Sequence, residues 1–186
     1  MVSNSFVTLQ ATEILIAMKA KITIAFWLML LLLAASCTKG PAAFKGDYSF
    51  KTGGYLTVSG TVSDLLGQRD TTFIRHLVPE SGQMHVVREE GDRMVVTMNI
   101  TGGDPVVFPA TVDGSEIILE PVLHSLLLRP AIGDETVRQD FMVSGTGRKY
   151  DRMILFELEC EGTFRHLNLD GEVSESEIKC IATENE

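Results

Sequence analysis

An all-β fold is what this chain of 186 residues predicts: an antiparallel meander of about eight to ten strands in a single domain. Three observations lead there. Apolar segments of about six to nine residues recur between clusters of Gly, Asp, Asn and Ser. Several of them alternate strictly, as where Ile154, Phe156, Leu158 and Cys160 share one face and Glu157, Glu159 and Glu161 the other, the period of a half-buried strand. No segment after residue 40 carries a convincing helical period; Asp64-Leu65-Leu66-Gly67 has the makings of one turn.

The chain opens differently. Lys19 and Lys21 precede an apolar run, Ile22 to Ser36, which ends at Cys37. A charged region, a short apolar core and small residues before a cut make a secretory signal. Ile22 to Ala35 falls short of the roughly 20 residues a membrane-spanning helix needs. Residues 1–36 are therefore assigned to a signal peptide; translation starts either at Met18, whose Met-Lys-Ala-Lys sequence forms a well-shaped charged region, or at Met1 with a long extension of that region. The window Leu33-Ala34-Ala35-Ser36-Cys37 resembles the lipobox of bacterial lipoproteins, with Ala34 where leucine is usual. That resemblance implies cleavage before Cys37, a diacylglycerol on its thiol and further acylation of its new amino group. Two or three acyl chains anchor stably where one is marginal. Residues 37–43 then form a lipidated cysteine and short tether, and residues 44–186 the domain.

Removing the leader leaves roughly 150 residues, enough for one domain with a real core. The whole chain has 16 Lys and Arg against 25 Asp and Glu, a net charge of −9, and no basic cluster follows the signal. Nucleic acid is therefore not expected as a partner.

Strand registers follow from the rule that facing segments place their apolar residues on the same side. A three-residue loop ending at Gly91 pairs Val86 with Met94 and Met84 with Val96. A loop over Gly102-Gly103-Asp104 pairs Ile100 with Val106, Met98 with Phe108 and Val96 with Ala110. Asp113-Gly114 as a two-residue turn sets Ala110 opposite Ile117 and Phe108 opposite Leu119. Further strands are expected near Tyr48 to Val62, Thr72 to Leu77, Leu123 to Arg129 and Val137 to Val143.

The last hairpin joins Met153–Glu161 to Glu172–Thr183. In an oxidising compartment Cys160 and Cys180 form an even pair, to be read as a disulfide or as two buried thiols. A loop over Leu169-Asp170-Gly171 places the two cysteines opposite each other, Arg165 against Glu175 and Glu161 against Lys179, and so favours the bond. Such a meander must hide its edges by closing or by stacking. A small barrel is preferred to a sandwich because the hairpins follow one another without a long crossover.

No catalytic constellation stands out. His76, His85, His124 and His166 are dispersed, without metal-ligand spacing. Glu157, Glu159 and Glu161 read as a solvated strand face, and no nucleophile elbow, dinucleotide fingerprint or phosphate loop occurs. No metal or cofactor is expected. Met84, Met94, Val96, Met98 and Phe108 face inward and could line an adaptable apolar pocket, or simply fill a core. Asp70-Thr71-Thr72 resembles the O-glycosylation sequon of Bacteroidota-type exported proteins, which would place a glycan on Thr71.

Gly46-Asp47-Tyr48-Ser49-Phe50-Lys51-Thr52-Gly53-Gly54, Gly82-Gln83-Met84, and Val143-Ser144-Gly145-Thr146-Gly147 with Tyr150 resemble small Bacteroidota-type lipoproteins of uncharacterised function. Gly46-Asp47-Tyr48 also resembles the Gly-x-Trp of lipocalin-like barrels, with Tyr48 in the tryptophan's place. The expectation is a non-enzymatic lipoprotein of the bacterial envelope, anchored to the outer membrane. It would bind an apolar small molecule in the barrel or, with a packed core, serve as a structural or protein-interaction module; a hydrolase is a remote third.

Overall fold

A computed structural model describes residues 40–65, 67–130 and 135–186, so Met18, the signal segment, Cys37 and Leu66 lie outside the described residues. A single helical turn, α1 (Pro41–Phe44), leads into ten strands. They are β1 (Gly46–Asp64), β2 (Gly67–Leu77), β3 (Ser81–Arg88), β4 (Arg93–Ile100), β5 (Val106–Asp113), β6 (Glu116–Pro130), β7 (Val137–Tyr150), β8 (Met153–Glu161), β9 (Thr163–His166) and β10 (Leu169–Glu184).

All ten belong to one antiparallel sheet of order β2-β1-β3-β4-β5-β6-β7-β8-β10-β9, and the pairing of β1 with β10 closes it into a ring. One edge of β1 follows β10 from Tyr48 to Val62. Its other edge is shared, with Gly46–Lys51 bonded to β3 and Tyr55–Asp64 to β2. The end of β2 then bonds to β6 at Leu128–Pro130. The ring therefore runs through eight strands at the end where the chain enters, and through a shorter circuit that includes β2 at the other.

Alternation places the buried residues of every long strand inside: Leu56 and Val58 on β1, Met84 and Val86 on β3, Phe108 and Ala110 on β5, Ile154 and Phe156 on β8. Glycines let the wall bend and take large neighbours. A Cβ on Gly147 would lie 2.5 Å from the ring of Phe156, so the ring occupies the space a side chain there would need.

Side chains plug both ends. At the eight-stranded end, fully buried Tyr48 donates its hydroxyl hydrogen to the carbonyl of Phe44 at 2.8 Å and accepts a hydrogen bond from Lys149 Nζ at 3.1 Å. Lys149 also meets Glu184 at 3.2 Å, so the start of β1 and the end of β10 are tied to one residue. Burial pulls the Lys149 ammonium down, but its bonds to Tyr48 and Glu184 outweigh this and leave it raised. At the other end Phe73 and Phe164 meet edge to face at 5.7 Å, and the Arg75 guanidinium lies over both rings, 4.9 and 5.2 Å from their centres.

The expected inward faces are those observed, but the registers differ. Val86 pairs with Val96 and Met84 with Met98; Met98 pairs with Val106 and Val96 with Phe108; Ala110 pairs with Leu119 and Val112 with Ile117. Each turn sits one residue from its expected place, with Gly91, Gly102 and Gly114 supplying the left-handed conformation at φ of +62°, +76° and +61°. Moving a turn by one residue slides its ladder by two, which leaves every side chain on its face.

The last hairpin departs further. Its turn falls at Leu167-Asn168, where Leu167 has φ +53°, and an irregularity at Gly162 divides the outgoing strand into β8 and β9. Cys180 consequently faces Phe156, four residues from Cys160, and both cysteines are free buried thiols. The expected cross-strand disulfide is thus corrected to the alternative of two buried thiols. The charge pairs that supported it find equivalents in the true register: Lys179 faces Glu157, and Arg165 faces Asp170 at 3.3 Å.

Candidate functional site: a cleft in the wall of the ring

Two prolines open the wall. The β5–β6 ladder starts at Asp113 and Glu116 and ends at Ala110 and Leu119. Continued in register, its next pairs would be Pro109 with Glu120 and Phe108 with Pro121. Proline has no N–H to give a ladder. Beyond this point the strands separate, and β6 is irregular against β7 between Leu119 and Val122. Among the described residues Val106–Pro109 keep β4 as their one ladder partner, and β6 meets β2 at Leu128, helped by a bond from Val78 N–H to the Leu127 carbonyl at 2.8 Å.

The space so left is a cleft of about 1010 Å³. The β2–β3 connection, the β4–β5 turn and β6 wall it, and Val107 and Leu123, 50% and 67% exposed, put apolar surface at its rim. Arg138 and Asp104 line it from opposite walls, both exposed. Among the described residues neither has a charged partner.

Glu80 and His124 close the floor. Thr52, buried on β1, receives the Glu80 N–H on its hydroxyl at 2.8 Å and gives its own N–H to the Glu80 carbonyl at 2.8 Å, which clamps the β2–β3 connection to the wall. The Glu80 carboxylate meets His124 Nε2 at 3.1 Å, with both side chains less than a fifth exposed. Behind the pair lies an interior cavity of about 20 Å³, bordered also by Met98, Phe108 and Cys160. That is about the room one water requires.

The expected site residues are dispersed by this geometry. Met84, Met94, Val96, Met98 and Phe108 are all buried in the core, and of these Met98 and Phe108 reach the small cavity. Burial pushes the Cys160 thiol up to about 11 against a hydrogen bond from Ser176, and burial with the Glu80 charge pushes Cys180 up to about 12. Neither is poised as a nucleophile, which requires thiolate near neutral pH. Thr71 lies opposite Gly60 in the β1–β2 hairpin, beside a shallow surface hollow of about 400 Å³ lined by Ser59, Thr61 and Thr72. His76 stacks edge-on against Tyr55, His85 pairs with Asp47 at 2.5 Å, and His166 pairs with Glu135 at 3.0 Å, each at a separate place. Among the described residues no three His, Cys, Asp or Glu side chains are grouped to hold a metal ion.

Sequence reasoning missed the cleft. Its signal was present in Pro109 and Pro121, each inside an otherwise strand-like run, where proline marks an edge. No known family model matches the chain, and no curated protein does.

Proposed function

We propose that this chain is a non-enzymatic lipoprotein of the bacterial cell envelope, held on the outer membrane by acyl chains on Cys37, and that it works by receiving another envelope protein at the side cleft. The observation that carries this reading is the contrast between interior and wall: about 20 Å³ inside against about 1010 Å³ in the cleft. Ligand pockets for small molecules ordinarily run from about 300 Å³ upward. An apolar ligand inside the ring would have to displace Phe108 and the methionines around it. The packed-core alternative needs no rearrangement. In this reading the Glu80–His124 pair is structural, holding the floor, and the two thiols are core side chains. Asp70-Thr71-Thr72, on the hairpin that pairs β1 with β2, is the proposed place for a glycan.

Gentle extraction of the processed protein from its own envelope, followed by native mass spectrometry, tests the proposal. The expected result is a protein partner that is retained by the native chain and lost with Leu123→Arg, a change at an exposed position. Recovery with a bound apolar small molecule and no protein partner would contradict it.

A further inference from the structure

The cleft differs from an ordinary apolar groove in what its walls offer. On one side Val106–Pro109 present a strand edge with no ladder partner among the described residues, and on the other β6 does the same from Glu120 to Leu126. Unpaired edge amides and carbonyls are a template for another strand. The other edge of β2 differs: from Gly67 to Ile74 it has no second ladder partner among the described residues, and it carries Gln68, Arg69 and Asp70 on the surface.

Side chains add direction to that template. Val107 and Leu123 stand on the outer face of the two edges, so a strand between them would place alternate residues against both. Its intervening residues would point toward the Glu80–His124 floor, beyond which the interior cavity holds only about 20 Å³, so that side favours small side chains. Arg138 and Asp104, without a charged partner among the described residues, complement one acidic and one basic side chain on the incoming segment.

Resting on the function proposed above, we infer that the cleft takes an extended peptide segment of its partner protein as an added strand against β5 at Val106–Phe108. The segment has apolar residues alternating with small ones, plus an acidic and a basic side chain. Binding of this kind draws its affinity from main-chain hydrogen bonds and its selectivity from alternate side chains.

Blocked heptapeptides of alternating valine and threonine, with one glutamate and one lysine, test this on the processed, lipidated protein in nanodiscs. A second set carries methyl groups on alternate amide nitrogens, which removes strand donors while keeping the side chains. The expected result is saturable binding, slowed amide exchange at Val107, and affinity at least ~10-fold weaker for the methylated set, the loss of about one or two hydrogen bonds. Arg138→Glu should weaken binding of the glutamate peptide but not of its glutamine analogue. Absence of saturable binding, equal affinity of the methylated set, or unchanged binding by Leu123→Arg would each overturn the inference. A protein partner that is still lost with Leu123→Arg on extraction, while the peptides fail, would remove the added strand and leave the cleft as the interaction site.

Discussion

Tyr48 shows how much one residue holds in this fold. Its hydroxyl is buried, gives its hydrogen to Phe44 and receives one from Lys149, which in turn holds Glu184 near the end of the chain. Tyr48→Phe keeps the ring, strands the Phe44 carbonyl and leaves Lys149 with Glu184 alone. We expect a loss of about 1–3 kcal/mol, the desolvation penalty of buried groups left unpaired, measured by urea unfolding. The cysteines make a second residue-scale prediction. Their folded pKa values, about 11 and about 12, lie above the ordinary 9.0, so the folded state holds those protons longer than the unfolded state. Their contribution to stability is complete below pH 9 and declines as pH climbs from 9 through 11 and 12. A Cys160→Ala, Cys180→Ala double variant should therefore lose stability less steeply across that window, as followed by denaturant midpoints. Native protein at pH 8 should leave both thiols unreacted with a disulfide reagent until it unfolds. Alternation in the sequence located both cysteines on the inner face correctly. Their partnership was not legible, because registers four residues apart present the same faces and comparable charge pairs.

At the scale of elements, turns and prolines decide what alternation cannot. Gly91, Gly102 and Gly114 mark their hairpins in the sequence, yet each turn can shift by one residue at no cost in hydrophobic facing, and each does so relative to the pattern-based register. Pro109 and Pro121 carry a sharper signal: they fall where the β5–β6 ladder stops and so make the cleft. Restoring the N–H groups with a Pro109→Val, Pro121→Val double variant should let that ladder extend beyond Ala110 and Leu119. Hydrogen exchange would then show protection spreading to residues 120–122, with reduced access to Leu123. Gly147→Val tests the bend of β7 against Phe156, and the displaced ring should cost roughly 1–3 kcal/mol by thermal or chemical unfolding.

The domain from Gly40 to Glu186 is a ring with plugged ends and a notched side. Its closure was predictable in kind, since a long meander must hide its edges, and one sheet closed by β1 against β10 is the solution found. What the ring contains was not predictable from periodicity, because inward methionines suit a pocket and a packed core equally well. The interior cavity beside Met98 and Phe108 holds about 20 Å³, which favours the packed core. The central claim is that the cleft between β5 and β6 is the working surface. A photo-crosslinking side chain installed at Leu123, in cells expressing the full chain, reads it most directly when compared with the same group at Ile181, which is 47% exposed on β10 across the ring. A discrete protein adduct is expected from position 123 and none from 181. Equal labelling from both positions, or none from 123 with the protein folded and processed, would contradict it.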